Sequence, residues 1–337
     1  MRRITIVTDA WHPQVNGVVR VFDTLIPLLQ KREYAVSVIH PGQCVTVPLP
    51  FYPEIRLALF PKRQVRKLLH ELQPDAVHIA TEGPLGLAAR AICRAEGISF
   101  TTSYHTHFQL HVHARAPFLT RLITPYLRFF HGAAAQTMVA TDGLAQELAA
   151  SGFQHIAIWP LGVDTDLFVR NPAPGLPMLP KPVFVYFGRL AAEKNVDEFF
   201  EADLPGTKLV IGDGPERERL MRRYGDTAHF VGYKKGQELV DWLSLCDVFV
   251  FPSRSETFGL VVVEALACGI PVAAHDVTGP RDIIERGVDG FLSDDLQEAA
   301  LACLQLSADA CRAKALQYSW EASADAFIRG LVFRDRE

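Results

Sequence analysis

Two carboxylates and two cations are the residues of this 337-residue chain best placed, by type and spacing, to do chemistry. Glu256 and Glu264 stand eight apart in the run Ser253-Arg254-Ser255-Glu256-Thr257-Phe258-Gly259-Leu260-Val261-Val262-Val263-Glu264. The apolar stretch Val248–Phe251 before them reads as a strand, and Leu260–Ala267 reads as a helix closed by Gly269 and Pro271. Glu256 is therefore expected at a strand-to-helix turn. Ligands of doubly wound sheets bind beyond the carboxyl ends of the strands, so a carboxylate at such a turn points into the binding crevice. Glu264 falls two helical turns later, behind three valines, where an unpaired carboxylate is costly to bury and a hydroxyl-rich ligand such as a ribose would supply donors. Spacing alone leaves open that Glu256 caps the helix and that Glu264 lies on the surface. Arg189 and Lys194, five apart, can both reach one anionic group such as a diphosphate and neutralise its charge. Their alternative is surface pairing with Glu193 and Asp197.

Other segments carry weaker signals. In Ile211-Gly212-Asp213-Gly214-Pro215-Glu216 the glycines permit positive φ and close backbone approach. Gly17, in the segment Thr8–Arg20 between the first strand and a helix, would let backbone N–H groups and the helix N-terminus approach a phosphate. Tyr104-His105-Thr106-His107-Phe108-Gln109-Leu110-His111-Val112-His113 is rich in imidazole, but no carboxylate or cysteine is nearby, which argues against a metal site.

These residues need strands and turns to hold them. Short β-branched runs alternate with helical stretches, the pattern of a parallel sheet with crossover helices. Strands are expected at residues 4–8, 35–40, 76–80, 99–104 and 133–139, then at 183–188, 208–212, 228–232, 247–252 and 271–275. The two series are separated by residues 171–182, where five prolines in twelve residues stop helix and sheet alike. The expected organisation is a first domain over 1–170, this linker, a second domain over 183–318 and a terminal helix over 319–337. The first 170 residues carry 16 Lys+Arg against 12 Asp+Glu, whereas the remainder carry 18 against 26, so the first domain is the basic one.

Composition removes several classes. With 49% hydrophobic residues and a net charge of −4, the chain is neither disordered nor built for nucleic acid. The six cysteines show no C-x-x-C spacing and are expected as buried reduced thiols. No apolar stretch reaches the roughly 18 residues of a bilayer span, and the apolar opening turns polar at Thr8-Asp9, too early for a signal peptide; the cytoplasm is the expected location. Lys62-Arg63-Gln64-Val65-Arg66-Lys67-Leu68-Leu69-His70 mixes cations with leucines at helical spacing, a pattern suited to an anionic membrane surface. Arg115, Arg121 and Arg128, around Phe118, Leu119, Phe129 and Phe130, form a second such stretch.

Together these segments resemble one family. The run from Ser253 to Val272 looks like the E-x7-E signature of retaining glycosyltransferases of GT-B architecture, in the large family 4 (glycosyl transferases group 1). Phe187-Gly188-Arg189-Leu190-Ala191-Ala192-Glu193-Lys194-Asn195 resembles that family's G-R-L-x-x-E-K-N element, and the segment 211–216 its G-x-G-P turn. The segment 8–20 is similar to its N-terminal loop, with Asn16-Gly17 where many members carry Gly-Gly. Trp320-Glu321-Ala322-Ser323 resembles the element before a terminal helix that crosses back onto the first domain. The likeness runs over nearly the whole chain.

What the resemblance implies is an α/β, GT-B fold of two Rossmann-like doubly wound domains facing across a cleft. It also implies transfer of a hexose from GDP-mannose or a UDP-hexose to an acceptor hydroxyl with retention. In that picture Arg189 and Lys194 hold the diphosphate and Glu264 the ribose, while Glu256 and the Phe258, Gly259 and Leu260 backbone hold the sugar. Gly188, Gly212 and Gly214 shape the donor loops, Val231 and Gly232 meet the nucleobase, Gly17 meets a phosphate and His105 a sugar hydroxyl. Asp9, Asn16 and His107 are acceptor-side candidates. Neither metal nor cofactor is implied, the nucleotide sugar being a substrate. The segments 8–20 and 104–107 most resemble the lipid-directed branch, the phosphatidylinositol mannosyltransferases and sulfoquinovosyl or glycosyl diacylglycerol synthases. A lipid or lipid-linked glycan acceptor, and peripheral contact of the basic first domain with the inner face of a membrane, follow as expectations. Rival readings are a nucleotide-sugar epimerase of similar architecture and a non-catalytic binding module; the first-strand turn lacks the G-x-G-x-x-G of a dinucleotide dehydrogenase.

Overall fold

The computed structural model describes residues 1–14, 16–49, 52–105, 120–171 and 175–334. The strands are β1 (Arg3–Val7), β2 (Ala35–Ile39), β3 (Thr46–Leu49), β4 (Tyr52–Ala58), β5 (Ala76–Ile79), β6 (Phe100–Ser103), β7 (Gln136–Val139), β8 (Ile156–Ile158), β9 (Val183–Phe187), β10 (Thr207–Ile211), β11 (His229–Phe230), β12 (Val248–Phe251), β13 (Val272–Ala274) and β14 (Gly290–Leu292). One parallel sheet runs β2-β1-β5-β6-β7-β8 and a second β11-β10-β9-β12-β13-β14, while β3 and β4 pair only with each other, antiparallel. Every expected strand is present. The four not anticipated are short edge strands (β8 and β14) or lie outside both sheets (β3 and β4), where partial burial leaves no continuous apolar run to read.

The chain divides into two compact units, Met1–Pro160 with Trp320–Glu337, and Leu161–Ser319. The passage between units thus falls at Pro160, and the described part of the proline-rich run belongs to the second unit. Side-chain anchoring explains this: Arg312 donates to the carbonyls of Thr165 and Phe168, both at 2.6 Å, and Arg170 donates to the Cys246 carbonyl at 2.8 Å. Residues ahead of the prolines are therefore already committed to the second core.

That core is a sandwich of covered strands. All of β9, Val183 to Phe187, is buried, as is β12, and Phe199, Phe200, Leu220 and Ala300 pack from flanking helices. Parallel strands covered on both faces need such apolar runs. In the first unit Val7, Val77, Ile79, Leu85 and Phe100 do the same, and the terminal helix Trp320–Gly330 closes the unit. Arg32 at the end of helix Gly17–Lys31 bonds Asp325 at 2.7 Å, while Phe327 packs on Phe22 and Trp159.

The cysteines are unpaired and five of six are buried; desolvation lifts the thiols of Cys93, Cys268, Cys303 and Cys311 to about 12. Among the described residues no helix is long and apolar enough to cross a membrane. Lys62 to His70 does form an amphipathic helix, Lys62–Leu72, which buries Val65 and Leu69 and exposes Lys62, Arg63, Arg66 and Lys67. Leu59 and Phe60 precede it, 41% and 94% exposed. In the second basic stretch Arg115, Phe118 and Leu119 lie outside the described residues; Phe130 is core, and Phe129 lies under the Arg90 guanidinium at 3.8 Å.

Candidate functional site

The second sheet changes direction between β9 and β12, with β10 and β11 to one side and β13 and β14 to the other. Doubly wound sheets bind ligands at the carboxyl ends of the strands flanking such a switch point. The donor-side residues expected in the second unit lie on the loops and helix at this edge, whereas Gly17 and His105 belong to the first unit. Loops leaving β9, β10 and β11 are laced by main-chain bonds: Gly188 N donates to Ile211 O at 3.0 Å, Gly212 N to Gly232 O at 2.9 Å, and Leu190 N to Asp213 O at 2.9 Å. Val231 N donates to Val210 O at 3.0 Å, so that amide is already used by the sheet. Gly212, at φ 158°, has no room for a side chain, because a Cβ would lie 1.9 Å from Gly188 O; at Gly214 it would lie 2.3 Å from Leu190 O. These two glycines are required first by loop-on-loop packing, a tighter constraint than ligand approach.

Lys194 and Glu256, 62 positions apart in sequence, are brought together across the switch point: Lys194 Nζ donates to Glu256 Oε1, with only 23% and 13% of the two side chains exposed. The surface alternative for Lys194 fails, since Asp197 is engaged by Arg219 and Arg223. Arg189, half-buried, lies on the loop after β9, its carbonyl accepting from Tyr186 OH at 2.8 Å. Glu256 does not cap the following helix Leu260–Ala267; Gly259 does so by backbone alone, at φ 92°. Glu264, 4% exposed, lies inside that helix's buried face, which removes the surface alternative too. Phe258 is buried, its ring edge-on to Tyr318 at 5.8 Å.

Sequence reading missed three supports of this site. Gly279, at φ 92°, sits so close beneath the Glu256 loop that a Cβ would lie 2.8 Å from Phe258 O and 3.0 Å from Glu256 Cβ. The turn pair Gly279-Pro280 was its only signal. Buried His275 bonds Glu198 at 2.6 Å, and Arg254, two residues before Glu256, also pairs with Glu198. The Oγ atoms of Ser253 and Ser255 are buried with no hydrogen-bond partner among the described residues, leaving two donors beside Glu256.

The first unit furnishes its strand ends differently. Asp9 follows β1, and its carboxylate accepts from Leu85 N at 2.9 Å, Gly86 N at 3.3 Å and Thr81 Oγ1 at 3.0 Å, at the N-terminus of helix Pro84–Ala95. It serves that helix end. Burial raises its carboxyl to about 6 despite those donors, helped by the nearby Glu82 charge. Asn16, an acceptor-side candidate, caps helix Gly17–Lys31 by accepting from Val19 N at 3.0 Å, so its Oδ1 serves the helix end. Gly17 opens the helix, and a Cβ there would meet nothing within 4 Å. His105 turns Nε2 to Ser103 Oγ at 2.8 Å and stands edge-on to Phe22 and Trp159; desolvation, with His131 nearby, lowers its imidazole to about 4. His107 lies outside the described residues. Among those described, no three His, Cys, Asp or Glu side chains are arranged to hold a metal ion.

Comparison with known proteins places both units. The family model described as "Glycosyl transferases group 1" matches residues 181–309, and "Glycosyltransferase Family 4" matches residues 15–167. The chain is 31% identical to the sulfoquinovosyl transferase of Arabidopsis thaliana over 82% of its own length, and it spans 60% of that relative. It is also 31% identical to a GDP-mannose-dependent alpha-mannosyltransferase of Mycobacterium tuberculosis, covering 86% of this chain and 83% of the other. With the alpha-monoglucosyldiacylglycerol synthase of Acholeplasma laidlawii it shares 27% identity over 88% and 86% of the two chains. Among solved structures, the sucrose-phosphate synthase of Thermosynechococcus elongatus superposes with a TM-score of 0.79 at 19% identity, over 98% of each chain.

Proposed function

The chain belongs to glycosyltransferase family 4 and has the GT-B fold, and on that premise we propose that it moves a hexose from GDP-mannose or a UDP-hexose to a hydroxyl of a membrane lipid or lipid-linked glycan, with retention. The observation that carries this reading is the Lys194–Glu256 pair at the β9/β12 switch point, with buried Glu264 on the helix that follows. A donor diphosphate entering there exchanges partners with the pair. Lys194 and Arg189 neutralise its phosphates, and Glu256, released from the lysine, accepts from sugar hydroxyls. Glu264 accepts from the ribose, and the amides opening helix Leu260–Ala267 add positive potential.

In this reading the bond from the anomeric carbon to the β-phosphate oxygen breaks, and the acceptor oxygen bonds the same face. The acceptor proton passes to the leaving phosphate oxygen. Fixed cations stabilise that dianion, so the reaction proceeds without a metal. His105 serves a sugar hydroxyl from the first unit, where Gly17 approaches a phosphate.

Two observations support a lipid acceptor: the likeness to a diacylglycerol-lipid synthase, and the cationic helix Lys62–Leu72 preceded by exposed Phe60. Cations draw a protein to anionic headgroups, and an aromatic side chain inserts at the interface. Thermal shifts with GDP- and UDP-sugars identify the donor; incubation of that donor with lipid extract, and anomeric analysis of the product, identify the reaction. A donor that stabilises the protein and yields an α-linked glycolipid is expected. Sugar epimers formed without acceptor would favour an epimerase, and absence of donor binding would overturn the reading. Sedimentation with anionic but not neutral vesicles, lost in Phe60→Glu, tests the membrane contact.

A further inference from the structure

β6 departs from the pattern of the other interior strands. Its sequence is Phe-Thr-Thr-Ser, and Thr101, Thr102 and Ser103 are all fully buried. Alternation along the strand sends Thr101 and Ser103 to one face and Thr102 to the other. Register pairs His78 of β5 directly with Thr101. His78 Nδ1 stands 2.9 Å from Thr101 Oγ1 and its Nε2 3.1 Å from Ser103 Oγ, while the same Ser103 oxygen stands 2.8 Å from His105 Nε2. Phe327 lies edge-on to the His78 ring at 4.9 Å, with Phe22 and Trp159 on its other sides, so the imidazole cannot turn without moving the terminal helix.

Proton counting sets the direction of this chain. Desolvation lowers both imidazoles, that of His105 to about 4, so each ring is neutral at pH 7 and carries one N–H. Among the described residues the only side-chain partner of the Thr101 hydroxyl is His78, and a buried O–H left undonated is costly, so Thr101 donates to Nδ1. His78 then has its proton on Nε2 and donates to Ser103 Oγ. Ser103 in turn gives its proton to His105 Nε2, the Ala80 carbonyl at 3.5 Å being too far to compete.

We propose that His78 is a positioning residue: acting through Ser103, it holds His105 in the tautomer protonated on Nδ1, so that this imidazole offers a hydrogen-bond donor to a substrate oxygen. The consequence for catalysis rests on the reading that His105 serves the donor sugar. The tautomer itself does not.

Nitrogen-15 NMR of the full-length protein at neutral pH tests it. The expected spectrum shows a protonated-type shift at His105 Nδ1 and an unprotonated-type shift at Nε2. Thr101→Val keeps the shape and removes the first donor; mixed His105 tautomers, and a kcat lowered about tenfold at unchanged donor KM and melting temperature, are expected. Thr101→Ser restores both. Ser103→Ala, which cuts the same chain nearer His105, gives the same readout should the valine variant not fold. A wild-type His105 protonated on Nε2, or tautomers indifferent to both Thr101→Val and Ser103→Ala, would overturn the proposal. His105→Ala separates the two claims: full turnover in that variant removes the sugar-contact reading and leaves the tautomer lock to stand or fall on the spectra.

Discussion

The two six-stranded sheets have the same parallel design, yet their carboxyl edges are built from different material. In the second unit the edge is mostly backbone: glycine loops laced by main-chain bonds, with the Lys194–Glu256 ion pair set into them and Arg254 and His275 held on Glu198 beside it. In the first it is side chains: Asp9 on a helix end, Asn16 on another, and imidazoles held by the hydroxyls of β6. A backbone edge tolerates changes of side chain but not an added Cβ. A side-chain edge tolerates added bulk at its open glycine but not the loss of a polar atom. The division suits the proposed chemistry, since a nucleoside diphosphate is bound largely through groups that backbone and fixed cations can supply, whereas an acceptor is chosen by side chains.

The contrast can be tested most directly at the ion pair of the second edge. Lys194→Ala should lower kcat by about 10²- to 10³-fold, the usual cost of removing a group that stabilises developing negative charge, while the melting temperature hardly moves. Initial rates at saturating donor decide it, and turnover within twofold of wild type would remove Lys194 from the chemistry. Gly212→Ala, forced against Gly188 O, should cost on the order of 2–4 kcal/mol in urea unfolding, whereas Gly17→Ala, facing open space, should cost under about 1 kcal/mol. Equal losses would erase the distinction between the edges.

A third measurement follows from pH. Burial raises the Asp9 carboxyl of the folded protein to about 6, above its unfolded value, so the folded state binds that proton more tightly. Its contribution is therefore fully present below about pH 4 and is lost as pH rises through about 6, on the order of 3 kcal/mol. Asp9→Asn should flatten this part of the stability curve; a wild-type-minus-variant difference that grows with pH would contradict the assignment. A smaller effect is expected at Glu264→Gln, which keeps shape and loses charge: calorimetry should show donor affinity weakened about tenfold, and unchanged affinity would mean that the ribose lies elsewhere.

Much of the second unit was legible because its signals are local. β9 and β12 are unbroken apolar runs, helix Leu260–Ala267 is bounded by Gly259 and Gly269, and the loop glycines mark turns that only they can make. The first unit was legible in its strands but not in its side-chain roles. Asp9 was anticipated on the acceptor side and is found on a helix end 76 residues away; Asn16 was anticipated beside it and is a cap. His78 and Ser103 gave no sign at all, because a histidine and a serine 25 positions apart meet only once β5 and β6 are in register.

What the sequence by itself determined is the periodicity of the elements, the turns that require glycine, and the family whose motifs it carries. The tertiary structure alone decided that Lys194 reaches Glu256, that Gly279 props the Glu256 loop, that the units divide at Pro160, and that β6 spends its hydroxyls on imidazoles. The physical reason is range. Propensity, capping and amphipathic spacing act over a few residues and are written in the order of the chain, while ion pairs, buried polar networks and Cβ clashes depend on which strands lie side by side and in what register.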